Sequence, residues 1–404
     1  MEWKEVRLGN VCEIYGRIGF RGYTTNDLVD TPKEGAISLS PKNIINGELN
    51  LEQCTYIKWD KYYESPEIMI NPNEIVITKT GSSVGRTTFV RRVVHPMTLN
   101  PQLVVLKNIS ENAEFLSYYI KSALFQSVLK SIVVGSAIPT LSQKNLANIM
   151  INVPKEVEDQ RRIASILSSL DRKIELNNKI NADLEEMAQA IFKNWFVDFE
   201  PFKDGKFVDS ELGMIPEGWK VGSPYEYVKV VYGAPYKSAK FNDNGEGLPL
   251  IRIRDLKDCN PQFYTPEILP QTEYVNMGDI VAGMDAEFIP HIWKGNTGLL
   301  NQRVCKLMPQ QTSISNLFVL YLMKPELEFV QSYKTGTTVS HLGKADIDKF
   351  VVVLPPLKVV EECSKILDSI LQRIKNISAE SRTLSLLRDT LLPRLMSGEL
   401  EVPQ

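Results

Sequence analysis

The 404-residue chain has few of the residues that build metal sites or disulfide frameworks. Its three histidines, His95, His291 and His341, stand in no metal-ligand spacing. Its five cysteines are scattered without a C-x-x-C pair, which argues against zinc ligation and against a disulfide framework. No apolar run approaches the roughly 18 residues of a membrane span. The composition therefore predicts a soluble protein of the reducing cytoplasm, with no metal and no membrane contact.

Motifs of common enzyme classes are also missing. The sequence contains no G-x-S-x-G turn, no G-x-G-x-x-G motif and no Asn/Asp-Pro-Pro-aromatic run typical of adenine methylation. The stretch ITKTGSSVGRTT, from Ile77, has three residues between Gly81 and Gly85 where a phosphate loop needs four, and Arg86 stands in place of the lysine. β-branched residues follow it where that loop needs a helix. We expect a β-hairpin with a glycine at positive φ, and no catalytic residue. A nucleotide hydrolase that uses this hairpin is the enzymatic alternative.

The overall charge argues against a protein that coats nucleic acid non-specifically. The chain has 46 Lys and Arg against 49 Asp and Glu, a net charge of -3. Its isoelectric point is near 5.9. A basic face confined to one part of a near-neutral chain remains compatible with these values.

The sequence contains an internal repeat, and its length suits two or three domains. GSAIPTLSQKNLANIMINVP, from Gly135, aligns without a gap with GTTVSHLGKADIDKFVVVLP, from Gly336. The hairpin stretch NEIVITKTGSSVG has a counterpart in GDIVAGMDAEFIP, from Gly278, and LNPQLVVLK, from Leu99, has one in LNQRVCKL, from Leu300. The hairpin is therefore an architectural element that occurs twice.

A long heptad pattern follows each copy of the repeated block. Apolar residues at alternating steps of four and three form one seam from Ile163 to Ile191 and a second from Cys363 to Leu391. A helix from about residue 157 to 195 is on the order of 58 Å long, so each seam predicts a rod. Asn177 and Asn181 in the first seam can fix the register of the pair, or can face water where the helices splay. Arg388 interrupts the second seam.

These patterns predict an α+β protein in which two similar mixed α/β domains are separated by two long antiparallel coiled-coil helices, related by a pseudo-twofold internal repeat. The predicted segments follow one another along the chain: a first globular domain at 1–154, a first rod at 155–198, a linker at 199–217, a second globular domain at 218–355, and a second rod with its tail at 356–404.

Polar and basic side chains on repeated loops are the candidate DNA contacts. Arginine and lysine fit guanine acceptors and phosphates, whereas Asp, Asn, Gln and Glu fit adenine or cytosine edges. A solvated surface is the alternative for each of them taken singly. The candidates are Arg17, Arg21, Lys79, Thr80, Ser82, Ser83 and Arg86 in the first copy, and Lys237, Lys240, Arg252, Arg254, Asp285, Glu287 and His291 in the second.

The chain resembles the specificity (S) subunit of type I restriction–modification enzymes. The resemblance is carried by EWKEVRLGNVCEI near the start, the block from Gly135, the segment EDQRRIASILSSLDRKIELNNKINADLEEMAQAIFKNWFVDF, the closing LLRDTLLPRLMSGEL, and the repetition of the whole pattern. It implies two target recognition domains, each of which reads one half of a bipartite, asymmetric site in double-stranded DNA.

The resemblance also implies partners. Two methyltransferase subunits would dock on the rods, and motor–nuclease subunits would join through them. The chain itself would be non-catalytic and would bind no cofactor, with S-adenosylmethionine, ATP and Mg²⁺ bound by the partner subunits only. A coiled-coil scaffold that recruits proteins without reading DNA is the rival interpretation.

Apolar clusters at the rod ends are the candidate docking surfaces for those partners. FKNWFVDF closes the first rod, and LLPRLMSGEL closes the second. Such a stripe either packs against a methyltransferase subunit or closes the globular domains of the chain. The candidate partner-binding residues are Phe192, Trp195, Phe196, Leu392 and Leu395.

Overall fold

The computed structural model of the protein describes residues 1–45, 47–135, 139–334 and 341–402. It forms two compact units: unit 1 comprises Met1–Lys173 with Leu384–Gln404, and unit 2 comprises Ile174–Thr383. Each unit contains part of both long helices, so the units do not coincide with the five consecutive segments expected from the sequence. The repeated block lies outside the described residues at 136–138 in its first copy and at 336–340 in its second.

Unit 1 contains twelve described strands and parts of both long helices. Its strands are β1 (Trp3–Arg7), β2 (Glu13–Tyr15), β3 (Leu28–Val29), β4 (Gly35–Leu39), β5 (Ile44–Ile45), β6 (Glu48–Leu49), β7 (Tyr56–Lys58), β8 (Glu74–Thr78), β9 (Thr87–Val90), β10 (Met97–Leu99), β11 (Leu103–Lys107) and β12 (Met150–Pro154). Its helices are α1 (Leu8–Val11), α2 (Trp59–Tyr63), α3 (Ala113–Lys121), α4 (Ala123–Ile132), α5 (Gln143–Ala147) and the beginning of α6 (Val157–Phe196).

Unit 2 contains the remaining described strands. They are β13 (Phe207–Val208), β14 (Ile215–Pro216), β15 (Lys220–Gly222), β16 (Val228–Tyr232), β17 (Leu248–Ile251), β18 (Tyr264–Thr265), β19 (Tyr274–Val275), β20 (Ile280–Gly283), β21 (Pro290–Ile292), β22 (Gly298–Leu300), β23 (Val304–Pro309) and β24 (Val352–Leu354). The helices that follow α6 are α7 (Asn316–Lys334), α8 (Lys344–Ile347) and α9 (Leu357–Met396), whose last turns belong to unit 1.

The two units share the order of one antiparallel sheet, one parallel strand pair and one two-stranded ribbon, which confirms the repeat. In unit 1 an antiparallel sheet has the order β2-β11-β8-β9, and in unit 2 the order β16-β23-β20-β21 occupies the same place. A second sheet contains one parallel pair in each unit, β4 with β10 and β17 with β22. A two-stranded ribbon joins the start of each globular part to its end, β1 with β12 and β15 with β24.

The glycine-rich stretch from Ile77 is a hairpin, as predicted. β8 pairs antiparallel with β9 through four residue pairs, from Glu74 with Val90 to Ile77 with Thr87. In the turn, Gly81 has φ 100° and Gly85 has φ 90°. Residues with a Cβ rarely adopt such angles, so glycine is required for this chain reversal. The phosphate-loop interpretation is excluded because a strand follows the turn where a helix is needed.

The long helices α6 and α9 run antiparallel. In unit 1, Ile163 and Leu167 from the beginning of α6 share a buried core with Leu395 and Met396 from the end of α9. In unit 2, the end of α6 shares a buried core with the beginning of α9, including Cys363 and Leu367 of the predicted seam. The heptad pattern therefore identified both helices and the faces along which they pack.

The polar residues of the first seam are buried in unit 2 and face the partner helix. The amide nitrogen of Asn177 donates to Oε2 of Glu380 at 2.8 Å, and that of Asn181 donates to Oγ of Ser378 at 3.0 Å. Both asparagines are almost completely buried. The splayed arrangement is therefore wrong, and these two bonds distinguish one helix register from others.

Arg388 is accommodated in unit 1 by an acidic partner. Its Nη1 donates to Oδ1 of Asp171 at 2.7 Å. The hydroxyl of Tyr118, on α3, donates to the other carboxylate oxygen of Asp171 at 2.6 Å. The apolar seam is thus replaced at this turn by a hydrogen-bonded ion pair, and the helices remain packed beyond it through Leu395 and Met396.

Candidate nucleic-acid interface

The first candidate surface lies where the parallel strands β4 and β10 end. Their carboxyl ends lie on the same side of the sheet, and the backbone N–H of Asn100 donates to the carbonyl of Leu39 at 2.8 Å. The hairpin joins this edge because the N–H of Lys79 donates to the carbonyl of Gln102 at 2.8 Å. The N–H of Leu141 in turn donates to the carbonyl of Lys79 at 2.8 Å. Residues 40–43, 79–80, 100–102 and 140–143 form what we call the loop edge of unit 1.

Unit 2 builds its loop edge with the same backbone hydrogen bonds. After the parallel strands β17 and β22, the N–H of Asn301 donates to the carbonyl of Ile251 at 3.2 Å. The N–H of Met284 donates to the carbonyl of Arg303 at 2.9 Å, and the N–H of Leu342 donates to that of Met284 at 2.7 Å. The loop edge of unit 2 consists of residues 252–255, 284–285, 301–303 and 341–344. One backbone frame therefore carries different side chains in the two units.

The loop edge of unit 1 encloses a cleft of about 610 Å³. Its lining includes Lys79, Gln102 and Gln143. The ammonium group of Lys79 has no carboxylate or other hydrogen-bond partner among the described residues, and its partial burial lowers the pKa of the amine. A half-buried cation without a counter-ion is suited to bind an anion or a hydrogen-bond acceptor of a ligand. Amide side chains beside it can both donate and accept hydrogen bonds.

Gly16 makes room for this arrangement. A Cβ at this position would lie 2.6 Å from Nε2 of Gln143 and 3.3 Å from Nζ of Lys79. A larger residue would force the end of the Gln143 side chain to move and would crowd Lys79, so glycine at this position permits the arrangement seen here.

The loop edge of unit 2 carries a charged cluster instead. Asp285 lies between Arg303 and His341, with Nη1 of Arg303 3.1 Å from its Oδ2 and Nδ1 of His341 2.7 Å from its Oδ1. Asp285 and His341 occupy the positions of Thr80 and Thr140 in unit 1, since each pair forms an isolated antiparallel bridge. Asp285 is thus placed to orient a basic side chain.

The other candidates on the first hairpin lie in its turn. Ser82 and Arg86 are exposed, and Ser83 and Thr80 are partly exposed. The side chain of Arg86 has no ion-pair partner among the described residues. These four side chains are accessible to a large ligand, and their role in DNA contact stays a prediction.

Arg17 must be removed from the candidate contacts. Only 5% of the residue is exposed. Its Nε donates to the carbonyl of Leu99 at 2.8 Å, Nη2 to Oγ1 of Thr98 at 3.2 Å, and Nη1 to the carbonyl of Arg21 at 3.1 Å. These bonds hold the end of β10, so the guanidinium is part of the fold. Arg21 itself lies partly exposed beside Glu67, at 3.4 Å.

Several candidates in unit 2 are neutralised by neighbours. Nζ of Lys240 lies 2.8 Å from Oε1 of Glu267, and the backbone N–H of Lys237 donates to the other oxygen of that carboxylate at 2.8 Å. Nε of Arg252 lies 3.5 Å from Oδ2 of Asp255, and its guanidinium also lies 4.3 Å from the ring centroid of Phe263. By contrast, the side chains of Lys237 and Arg254 are exposed, and neither has an ion-pair partner among the described residues.

Glu287 and His291 form a local pair on the second hairpin. Nε2 of His291 lies 3.6 Å from Oε1 of Glu287. Burial lowers the pKa of the imidazole below its ordinary value, which favours its neutral form. The pair can accept or donate hydrogen bonds to a ligand, but it adds no positive charge to the surface.

Three of the five candidate partner-binding residues, Phe192, Phe196 and Leu395, are buried in the cores of the units, which corrects the prediction for them. Phe192 and Phe196 are buried in unit 2, and the ring of Phe196 lies 5.2 Å from that of Phe318 and 6.0 Å from that of Trp219. Trp195 packs on the same core, with its ring 6.1 Å from that of Phe202.

The end of α9 gives the same result in unit 1. Leu395 is completely buried, and Leu392 packs against the same core. The buried part of each apolar stripe therefore closes a globular part, which was the alternative interpretation of the sequence. Trp195 and Leu392 are only partly buried, and partner binding by these two residues stays a prediction.

Two further candidate positions are not identified by their local sequence, although the alignment of the two repeated copies contains a signal for them. Lys42 lies in the turn after β4 that matches the position of Arg254 after β17, and both turns are closed by the side chain at their last position, Asn43 or Asp255. Gln102 follows the asparagine of LNPQ by two residues, and Arg303 follows the asparagine of LNQR by two residues. The full alignment of the two copies would have paired them.

The described residues contain no group of three or more His, Cys, Asp or Glu side chains placed to hold a metal ion. Across the same residues, no helix combines the length and apolar character needed to cross a bilayer.

Comparison with known proteins agrees with the repeated architecture. The family model for the type I restriction modification DNA specificity domain matches residues 1–186 and 216–384. The MjaIX specificity subunit of Methanocaldococcus jannaschii is 26% identical over 100% of this chain and 94% of its own length. The EcoBI specificity subunit of Escherichia coli is 29% identical over 46% of this chain and 40% of its own length.

A solved structure shares the fold. The S subunit of a type I restriction–modification system from M. genitalium aligns with a TM-score of 0.54 over 98% of this chain and 96% of that chain, at 15% identity. Two copies of the family domain cover most of the sequence, and the chain belongs to the type I restriction modification DNA specificity family.

Proposed function

We propose that this chain is the specificity subunit of a type I restriction–modification complex and that each unit reads one half of a bipartite DNA site. The observation that carries the proposal is the repeated loop edge, whose backbone hydrogen bonds are the same in both units while its side chains differ. Lys79, Gln102 and Thr140 in unit 1 correspond to Met284, Arg303 and His341 in unit 2. Since base readout depends on these donors and acceptors, we expect two different half-sites and no palindrome.

Cations placed alike on the two loop edges support DNA as the ligand. Lys42 and Arg254 are both exposed, follow equivalent strands and have no ion-pair partner among the described residues. A position that keeps its charge while its neighbours change is suited to contact phosphates, which occur in every DNA sequence.

The proposal includes partners and cofactors. Two methyltransferase subunits would bind the chain, and motor–nuclease subunits would join through them. S-adenosylmethionine, ATP and Mg²⁺ would bind on those partners, and the chain would catalyse no step itself. Because the apolar ends of α6 and α9 are buried in the cores, the remaining exposed faces of these helices are the proposed docking surfaces.

The test of this proposal is the methylome of a host that expresses the chain with its methyltransferase partner. The expected result is one bipartite motif with two unlike half-sites, held roughly one helical turn or about 34 Å apart. A continuous motif or a perfect palindrome would contradict the proposal.

A gel-shift assay separates the proposal from a protein-interaction scaffold. The complex should bind duplex DNA that contains the motif, and the affinity should fall steeply with salt, because phosphate contacts release counterions. A complex that assembles normally but binds duplex DNA at no salt concentration would support the scaffold.

A further inference from the structure

Gln102 and Arg303 occupy the same position in the two loop edges. Each follows an asparagine by two residues, and that asparagine accepts its backbone N–H through Oδ1, at 2.9 Å from Asn100 and 3.2 Å from Asn301. This turn fixes the backbone at the ends of the parallel strands and leaves both side chains exposed. The position thus combines a rigid backbone with a variable side chain.

Each of the two side chains is oriented by a neighbour that leaves its other polar atoms available. Both contacts of Arg303 with Asp285 use Nη1, and 56% of the Arg303 side chain is exposed. Its Nε and Nη2 have no partner among the described residues. In unit 1, Nδ2 of Asn100 donates to Oε1 of Gln102 at 3.2 Å, and Nε2 of Gln102 has no hydrogen-bond partner among the described residues. Preorganisation of this kind lowers the entropy lost on binding.

The chemistry of the two side chains differs in a way that matches two bases. An arginine with two free donors fits O6 and N7 of guanine, and a glutamine fits N6 and N7 of adenine. We propose that Arg303 reads a guanine in the half-site of unit 2 and that Gln102 reads an adenine in the half-site of unit 1. The proposal rests on the proposed function and adds to it the residue that sets one base in each half-site.

The contrast with Lys42 and Arg254 strengthens the assignment. Those positions carry a cation in both units, as a phosphate contact requires, whereas the Gln102 and Arg303 position changes its donor and acceptor pattern. A purely structural ion pair is the competing role for Arg303. A structural ion pair would not require Nε and Nη2 of Arg303 to remain available for a ligand. Exposed ion pairs of this kind also contribute little stability.

The experiment is a methylome comparison in a host that expresses the chain with its methyltransferase partner. In Arg303→Gln, one guanine of one half-site should lose at least about tenfold in discrimination, because a bidentate contact of this kind is lost. In Gln102→Arg, one adenine of the other half-site should be affected to a similar extent. Lys229→Gln, which removes an exposed cation on β16 of unit 2, is the matched control and should leave the motif unchanged.

The outcomes separate this inference from the proposed function. If the wild-type complex yields no bipartite motif, the proposed function fails. If the wild type yields one and Arg303→Gln keeps every base of it, the inference fails alone. A uniform loss of methylation without a changed base would also overturn the inference, because it indicates a phosphate contact.

A conservative variant guards against misfolding. Arg303→Lys keeps the charge beside Asp285 but cannot form the bidentate contact. If Arg303→Gln does not assemble, Arg303→Lys should still lose discrimination at the same guanine, and unchanged discrimination there would overturn the inference.

Discussion

Arg17 shows how a single residue can look like a DNA contact and serve the fold. Its guanidinium supplies the hydrogen bond to the carbonyl of Leu99. In unit 2 the corresponding carbonyl, that of Leu300, receives a backbone N–H from Ala234 at 2.9 Å. The same acceptor is satisfied by a side chain in one unit and by the backbone in the other, because a buried carbonyl without a donor is costly.

Arg17→Ala is therefore expected to destabilise unit 1. Loss of the donors to Leu99 and Thr98 should lower the free energy of unfolding by about 1–3 kcal/mol. Chemical denaturation of the purified chain would measure this, with Arg86→Ala as the exposed control, which should change stability by less than about 0.5 kcal/mol. An Arg17→Ala chain of normal stability that no longer binds DNA would return Arg17 to the interface.

The sequence identified the chemistry of these loops but could not place each side chain. Arg17 and Arg86 both stand beside glycines in polar stretches. What separates them is the carbonyl of Leu99, which lies 82 residues along the chain from Arg17. Local composition carries no information about such an acceptor, whereas the internal repeat did mark the loops that come together.

Lys79 offers the opposite case, a cation that the fold does not need. Met284 occupies its position in unit 2, and partial burial without a carboxylate disfavours the charged amine and lowers its pKa. Lys79→Met should leave stability unchanged or raise it. The same change should weaken DNA binding by the complex and reduce the slope of log affinity against log salt by about one.

The measurement for Lys79 is a salt titration of affinity for the wild-type motif, together with thermal unfolding of each chain. Lys130→Met, which removes an exposed cation at the end of α4, is the control. An unchanged affinity and slope would show that Lys79 does not contact DNA.

At the scale of elements, the end of α6 is held by an aromatic cluster. Phe196 lies among Phe192, Trp219 and Phe318 with ring separations of 5.0 to 6.0 Å. The heptad pattern placed this helix correctly but left its last turn without a partner. Trp219 and Phe318 lie outside this helix and further along the chain, which helical periodicity cannot reveal.

Phe196→Ala should therefore act on stability rather than on assembly. Removal of a buried phenyl ring is expected to lower the free energy of unfolding by about 3 kcal/mol, from lost burial and the cavity that remains. Val197→Ala, at the exposed neighbouring position, should change it by less than about 0.5 kcal/mol. A normally stable Phe196→Ala chain that fails to bind the methyltransferase partner would support the docking role that the structure argues against.

At the scale of the whole molecule, the chain contains the same backbone arrangement twice, and the side chains on the corresponding loops differ. The order of the antiparallel sheet, the parallel strand pairs and the hydrogen bonds of the loop edges are common to both units. The sequence predicted this duplication because the repeated block and the heptads recur in phase. It could not predict that the corresponding loops carry a cation beside amides in one unit and an ion-paired cluster in the other, since that depends on contacts between distant segments.

The hydrogen bonds across the seam between α6 and α9 restrict where residues can be inserted into these two helices. Asn177 is hydrogen-bonded to Glu380, and Asn181 is hydrogen-bonded to Ser378. Seven residues inserted between the two asparagines of α6 alone would move them about 10 Å further apart, whereas Glu380 and Ser378 would keep their spacing. A buried asparagine that loses its partner costs about 1–3 kcal/mol. An insertion in only one helix should therefore impair folding or assembly.

A matched insertion should be tolerated and should change the DNA spacer. One heptad copied from the apolar part of each seam would enter α6 after Lys179 and α9 after Ala379, which keeps Asn177 opposite Glu380 and Asn181 opposite Ser378. If the helices set the distance between half-sites, about 10 Å of added helix corresponds to roughly three base steps of about 3.4 Å. The methylome of this variant should show both original half-sites with a spacer longer by about three base pairs, whereas the α6-only insertion should methylate poorly. Full methylation at the original spacing would show that these helices do not set the distance.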